Sequence, residues 1–422
     1  MTNASAWQRR FTLVGLCFGA TFICYIDRVN ISVAIIPMAA ELGWDVETQG
    51  VVLSAFFVGY LLTQIIGGRL ADRFGGKVVL GTGVLLWSLF TVLTPPAAFV
   101  GLGMLIAARI GMGLGEAVTY PSIYSLYSRW VPVPERARAM ALNNSGIPLG
   151  TVFALIVTPL IAETLGWEWA FYLFGALGVV WFAGWQRKTA ASPDRHPDIT
   201  RAELDHIAVS VPADSGAVPT PSIAQFLRCG PVWAIIVCHF CNNWSLYVLL
   251  SWLPTFVNQG LGVDFAAVGW FTMIPHIASF FGLNVAGGVA DRLIKRGMGV
   301  GKVRKIMQTI GFGGISLALL IVGEVENAAM AIAVMSVGSA IGAFVTGGFA
   351  INHMDIAPRS AGTLMGITNT AGTIPGIIGV YVSGLILAWT GSWALVFQVA
   401  AGVTLFGLVF YLLFSSGEKQ FD

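Results

Sequence analysis

The chain is 422 residues long, 56% apolar and only 10% charged, with a formal net charge of +2. That balance excludes an ordinary soluble domain, in which about a quarter of residues are charged, and offers no basic surface for a nucleic acid. The five cysteines (Cys17, Cys24, Cys229, Cys238 and Cys241) lie in or beside apolar runs, with neither metal-ligand spacing nor a disulfide framework, so no metal and no cofactor is expected.

The apolar runs recur at about 20 residues or more, enough to cross a hydrocarbon core of about 30 Å. Hydropathy, turn residues and charge breaks predict twelve helices, at about 11–36, 50–69, 78–96, 99–128, 137–164, 167–186, 230–257, 264–289, 304–323, 327–351, 360–387 and 393–415. No cleavable signal peptide is expected, because a polar start and Arg9-Arg10 lead straight into a full-length span. The predicted fold class is therefore an all-α membrane protein of twelve transmembrane helices in two six-helix pseudo-symmetric halves. The N-terminal half covers 1–187, a linker 188–224 and the C-terminal half 225–422. Within the linker, Thr200-Arg-Ala-Glu203 is a capping-box pattern opening a short helix, read as part of a cytoplasmic tether without chemistry of its own.

The first span carries Asp27 and Arg28 as its only ionised groups between Phe11 and Met38. Each such group at the bilayer centre costs at least about 2.5–3.5 kcal/mol, which marks a polar cavity and a function. Neighbours on a helix point about 100° apart, so the two must seek partners on other helices. After the second span comes Gly68-Arg-Leu-Ala-Asp72-Arg73, and after the eighth Gly287-Gly-Val-Ala-Asp291-Arg292. The separations 287 − 68 and 291 − 72 both equal 219, an internal repeat of the halves. Parallel-repeat transporters have this organisation, with their site where the halves meet. Asp72, Arg73, Asp291 and Arg292 are accordingly expected to form a gating latch at the cytoplasmic mouth.

In the fourth span Arg109 and Glu116 lie seven residues apart on one helical face, and Gly111, Gly113 and Gly115 allow another helix to approach closely. The run resembles a phosphate-cradling loop only superficially, since it has no preceding strand and no lysine. Arg109 is expected to support Glu116 as an ion pair. The C-terminal half offers neutral polarity instead: Asn242, Asn243, Trp244 and Tyr247 in the seventh span, and Thr368, Asn369 and Thr370 in the eleventh. Amides and amphipathic aromatics suit hydroxyl-bearing molecules. Gly372-Thr-Ile-Pro-Gly376 is expected to bend the eleventh helix, and His353, His239 and His276 are further polar groups in or near spans. An arginine fork matches a carboxylate or phosphate, whereas buried carboxylates take up and release protons. Arg28, with Tyr25 beside it, is therefore read as the substrate-binding cation, joined by Asn242, Asn243, Tyr247 and Asn369, while Asp27 and Glu116 exchange protons.

Orientation follows from the basic residues. Of the 23 Lys and Arg, all but Arg28 and Arg109 fall on one side, while the other carries only acids, from Glu41 and Asp45 to Glu324 and Glu326. The positive-inside rule then sets both termini in the cytoplasm, and the expected location is a plasma membrane of the bacterial inner-membrane kind.

Gly68-Arg-Leu-Ala-Asp72-Arg-Phe-Gly-Gly-Lys77 resembles the signature loop of the major facilitator superfamily. Trp44–Gly50, Ser54–Tyr60, Gly113–Pro121, Asn243–Leu250, Asn352–Pro358 and Gly366–Thr370 are similar to its anion:cation symporter branch, which holds sialin, vesicular glutamate carriers, organellar phosphate carriers and bacterial sugar-acid symporters. The resemblance implies a major facilitator fold and places the family's substrate arginine at Arg28 and its coupling acids at Asp27 and Glu116. Eukaryotic members generally lack the acid beside the arginine, so a coupling role for Asp27 comes from the bacterial side alone. Glutamate carriers have Arg where this chain has Asn242, which argues against a glutamate-like dianion. The expected function is proton- or sodium-coupled symport of a small organic anion such as a sugar acid, by a monomer embedded in the lipid bilayer. The alternatives are an inorganic anion such as phosphate or, further off, drug export by the same fold. No catalytic triad, metal cluster or soluble domain points to an enzyme.

Overall fold

A computed structural model describes residues 8–210, 221–357 and 360–421. Every regular element among them is helical. The first half contains α1 (Arg9–Leu42), α2 (Val46–Phe74), α3 (Gly76–Val100), α4 (Leu102–Glu116), α5 (Thr119–Trp130), α6 (Val133–Thr164) and α7 (Trp167–Lys188). The linker contributes α8 (Arg201–Ser210) and α9 (Ile223–Leu227). The second half contains α10 (Gly230–Thr255), α11 (Phe265–Lys295), α12 (Val300–Val322), α13 (Ala328–Gly342), α14 (Phe349–Ile356), α15 (Ala361–Thr390) and α16 (Trp393–Phe414).

Helices this long are membrane elements. At 1.5 Å per residue, the 34 residues of α1 extend about 51 Å, well beyond a hydrocarbon core of about 30 Å. Eleven stretches among the described residues are long and apolar enough to cross a bilayer. α7, at the sixth expected span, is not among them: it is 22 residues long, but four tryptophans, Glu168 and a Gln-Arg-Lys end dilute its hydropathy. The outward surface is apolar, with Val180, Leu413 and Phe406 each 60% exposed or more, as lipid-facing side chains are and water-facing ones are not. The protein is a multi-pass integral membrane protein.

Two expected helices are broken. The fourth span stops at Glu116 and restarts at Thr119; Pro121 lacks an amide hydrogen and fits only a first turn. The tenth is interrupted by a 3₁₀ segment, Ala343–Gly347, between α13 and α14. The expected bend at Gly372–Gly376 is absent as a break, since α15 runs as one helix through Pro375. A π-turn, Phe256–Gly260, closes α10.

The chain clusters into two compact units: Met1–Ile31, Ala55–Ala154 and Ile161–Ala217 in one, Ser32–Ser54, Leu155–Leu160 and Val218–Asp422 in the other. In the first, α3 packs against α4, α5 and α7. Glycines permit the tight approach: a Cβ on Gly115 would lie 2.8 Å from the Trp87 nitrogen, and one on Gly175 2.8 Å from the Ser88 oxygen. In the second, α10 packs against α15 and α16, α11 against α13, and α12 against α13 and α16.

Candidate functional site

Within the first unit, Arg28 of α1 meets Glu116 at the end of α4. Its Nη2 donates to Glu116 Oε2 at 2.8 Å, and its Nε to the same oxygen at 3.2 Å. The Cys24 thiol, one turn earlier on α1, donates to that oxygen as well, at 3.2 Å. The guanidinium lies 4.9 Å from the ring centres of Tyr25, Phe56 and Tyr60, close enough for each to stabilise it by about 0.5–2 kcal/mol. Arg28 is 8% exposed and Glu116 1%.

The contact between α2 and α4 delivers two of those rings. A Cβ on Gly113 would run into the Phe56 carbonyl oxygen and reach 2.7 Å from the Tyr60 nitrogen, and one on Gly59 would run into the Ile110 carbonyl. The backbones therefore touch, which carries Phe56 and Tyr60 up to Arg28. Tyr25 was legible in the sequence as a neighbour of Arg28; Phe56 and Tyr60 were not singled out, although they recur four residues apart on one face of the second span.

Several polar atoms here stay unmatched. Among the described residues, both oxygens of Asp27, Oε1 of Glu116 and Nε of Arg109 are buried without a hydrogen-bond partner. The Trp87 indole stands beside Asp27, but its Nε1 does not reach hydrogen-bond geometry. An ionised carboxylate stripped of water and donors is costly, and a proton or a new cationic partner relieves that cost. Glu116 makes its ion pair with Arg28, while Arg109, expected to support Glu116, donates from Nη1 to Met112 Sδ at 3.1 Å and lies 5.5 Å from the Phe56 ring centre. Two helical turns separate Arg109 from Glu116 by about 11 Å along the axis, and the carboxylate turns to the nearer cation.

In the second unit the neutral residues are partly committed to structure. Asn242 donates to Asn243 Oδ1 at 3.1 Å, and Asn243 donates to the Gly372 carbonyl at 2.8 Å, tying α10 to α15. Tyr247 is buried, and the Asn369 side chain is half-buried. Thr368 bridges two histidines, at 3.2 Å from His239 Nδ1 and 2.8 Å from His353 Nε2. His353 Nδ1 faces the Ala350 carbonyl at 3.1 Å, which can only accept. The Thr368 hydroxyl also donates to the Met365 carbonyl at 3.2 Å, so its single proton serves either that carbonyl or His353 Nε2. Asp355 takes a two-toothed grip from Arg304 (2.7 and 3.2 Å) and a bond from Asn352 at 3.1 Å. This pair was not foreseen, because Arg304 and Asp355 lie 51 residues apart. Of the expected latch, Arg73 covers the Phe74 ring at 5.3 Å and Arg292 is exposed; the side chains of Asp72 and Asp291 lie outside the described residues.

The linker is more than a tether. Glu203 of α8 is buried and accepts from the backbone amides of Arg9 and Arg10, both at 3.0 Å, and from Arg10 Nη1 at 3.4 Å. A linker carboxylate thus caps the first helix, where free amides and the helix dipole favour an anion. Arg10 also grips Glu135, at 2.8 and 3.1 Å, and His206 reaches Glu135 at 3.0 Å. The hydrogen bond from Arg10 holds the Glu135 carboxyl below the usual carboxylate range.

The Major Facilitator Superfamily model matches residues 17–380. Similar curated proteins include "Probable anion transporter 4, chloroplastic" of Oryza sativa subsp. japonica, 46% identical over 99% of this chain and 71% of that protein. Two from Arabidopsis thaliana are "Ascorbate transporter, chloroplastic", 42% identical over 100% of this chain and 78% of that protein, and "Sodium-dependent phosphate transport protein 1, chloroplastic", 44% identical over 99% and 81%. Among solved structures, a bacterial homologue of the lysosomal transporter Spinster, in an inward-facing and occupied conformation, matches with a TM-score of 0.77, 17% identity and 97% coverage of each chain.

Proposed function

The chain belongs to the Major Facilitator Superfamily, a carrier and not an enzyme, and from that premise we propose that it moves a small organic anion such as a sugar acid by proton-coupled symport with alternating access. The observation that carries this reading is the Arg28–Glu116 pair inside its cage of Tyr25, Phe56 and Tyr60. An arginine fork engaged by Glu116 is released when Glu116 takes a proton, and then accepts a substrate carboxylate with the same geometry. Proton and anion thereby load together: each lowers the cost of binding the other, which is the coupling that concentrative uptake requires.

Asp27 is the second proton-exchanging acid, and Arg109 is a fixed charge that biases both carboxylates. Asn242, Asn243, Tyr247 and Asn369 supply neutral contacts for a hydroxylated substrate. Asp72, Arg73, Asp291 and Arg292 form the latch that opens and closes the cytoplasmic mouth. The one-sided distribution of basic residues supports both termini on the cytoplasmic face; a bacterial-type inner membrane and a monomeric working unit complete the proposal.

Uptake into proteoliposomes tests the reading. An inward proton gradient should drive accumulation of a sugar acid. Expulsion under that gradient would sink symport in favour of export, and dependence on sodium alone would reassign the coupling ion. The second reading, inorganic phosphate as cargo, is favoured by the phosphate carrier among the relatives and is separated by competition between phosphate and sugar acids.

A further inference from the structure

α12 and α16 pack against each other within the second unit, and both are long and apolar enough to cross a bilayer. Where α12 begins and α16 ends, they border a cleft of about 890 Å³, within the range of about 300–1,000 Å³ that holds small molecules. Gly299, Val300 and Gly301 line it from one helix end and Ser415, Ser416 and Gly417 from the other. The two segments touch at its base: a Cβ on Gly417 would run into the Gly301 nitrogen.

The polar end of the cleft is cationic. Lys302, exposed, and Lys305, half-buried, both line it against a single acid, the exposed Glu418. Lys305 Nζ donates to the Leu412 carbonyl at 2.8 Å; an ammonium carries three N–H donors, so this bond uses one of them. Ser415 Oγ, also on the wall, is buried without a hydrogen-bond partner among the described residues; the nearby Tyr411 hydroxyl donates to Asn352 Oδ1 at 3.0 Å instead. α12 starts at Gly299 with no side chain capping its amides, and free first-turn amides favour an anion. Further along α12 the lining turns apolar. Lys302, Ile306 and Ile310 recur four residues apart on one face, over about 12 Å of helix axis, and Ile310 is 38% exposed. Charge at the start of a span and aliphatic surface deeper in it follow the order of headgroup and acyl chain in a lipid. A free phosphate would use only the first.

We propose that this cleft is a lipid site, which takes the headgroup phosphate of an anionic phospholipid between Lys302 and Lys305 and one acyl chain along Ile306 and Ile310. A basic side chain at the edge of a span raises affinity for an anionic headgroup about fivefold. A zwitterionic headgroup brings its own cation up to the two lysines and gains less. None of these residues belongs to the proposed transport site, so the lipid site stands or falls separately from it.

The test is native mass spectrometry of the purified full chain in detergent, titrated with dioleoyl phosphatidylglycerol or dioleoyl phosphatidylcholine. The wild type should bind phosphatidylglycerol at least tenfold tighter than phosphatidylcholine. Lys302→Gln combined with Lys305→Gln should cut that preference at least fivefold. If the double variant does not fold, Lys302→Gln alone, at an exposed position, should cut it at least threefold. Lys295→Gln combined with Arg296→Gln removes the same charge at the end of α11, outside the cleft, and should leave the preference within about twofold. Equal binding of the two lipids, or an equal loss in the α11 pair, would mean diffuse attraction and overturns the proposal. Inorganic phosphate separates the sources. If it raises the melting temperature of the wild type as much as phosphatidylglycerol does, and the rise is lost in the cleft variants, the cleft is an ion site and the lipid proposal is overturned.

Discussion

Arg28 Nη2 and Glu116 Oε2 stand 2.8 Å apart, so the cation proposed to hold the substrate is already held by the acid proposed to carry the proton. The pair is buried, and breaking it by removing one member leaves an uncompensated charge, a loss of about 3–5 kcal/mol in buried settings. Substrate and proton together avoid that loss, because one replaces Glu116 at the fork and the other discharges it. A carrier built this way resists moving with the anion alone.

Arg28→Lys keeps the charge and loses the planar fork. Anion binding should weaken by about 1 kcal/mol or more, roughly fivefold in Kd. Arg109→Lys should be milder, since Arg109 forms no ion pair with Glu116 among the described residues. Calorimetry on both variants checks the order; wild-type affinity in Arg28→Lys removes Arg28 from the site.

The sequence made the charges legible and left their partners open. Asp27, Arg28 and Glu116 stand out because an ionisable group in an apolar run is costly wherever the chain folds. Which cation Glu116 would choose was not legible: helical periodicity fixes which residues share a face of one helix, not which face of another helix arrives there. Phe56 and Tyr60 were hidden for the same reason, since their placement depends on backbone contact at Gly59 and Gly113. The break after Glu116 did leave a trace in Pro121, and the one after Gly342 in Gly347-Gly348. The docking of Glu203 on the start of α1 left none, because 193 residues separate it from Arg10.

Glu203 and Glu135 make the linker part of the folded first unit. Glu203→Ala should destabilise by roughly 2 kcal/mol or more, through loss of charge-assisted hydrogen bonds to a buried acceptor, and should lower the melting temperature. Glu135 adds a pH dependence of known sign. Its carboxyl is held below the ordinary range, so its contribution is present at and above that range and is lost as pH falls through the lowered value. Glu135→Gln should flatten that acid-side fall in melting temperature. An unchanged profile would show that Arg10 does not stabilise the carboxylate in solution.

Asp72→Asn tests the latch. If Asp72 works at the cytoplasmic mouth, the variant should slow turnover several-fold in counterflow while leaving substrate affinity near wild type. The reverse pattern, weakened affinity with normal turnover, would move Asp72 from gate to binding site.

Glu116→Gln decides the mechanism. Glutamine preserves size and one acceptor oxygen but cannot ionise, so Arg28 loses its resident anion and the coupling acid is fixed in its neutral form. Exchange of labelled for unlabelled substrate needs no net proton release, and it should persist. Accumulation under a proton gradient requires the acid to give up its proton inside, and it should vanish. Substrate binding should also lose the part of its pH dependence that comes from competition between Glu116 and the anion for one fork. Asp27, whose two oxygens have no hydrogen-bond partner among the described residues, is the control: Asp27→Asn should share the uncoupled phenotype if both acids carry protons. If Glu116→Gln still concentrates substrate with normal proton dependence, the coupling acid is Asp27, and the Arg28–Glu116 pair is a structural clamp.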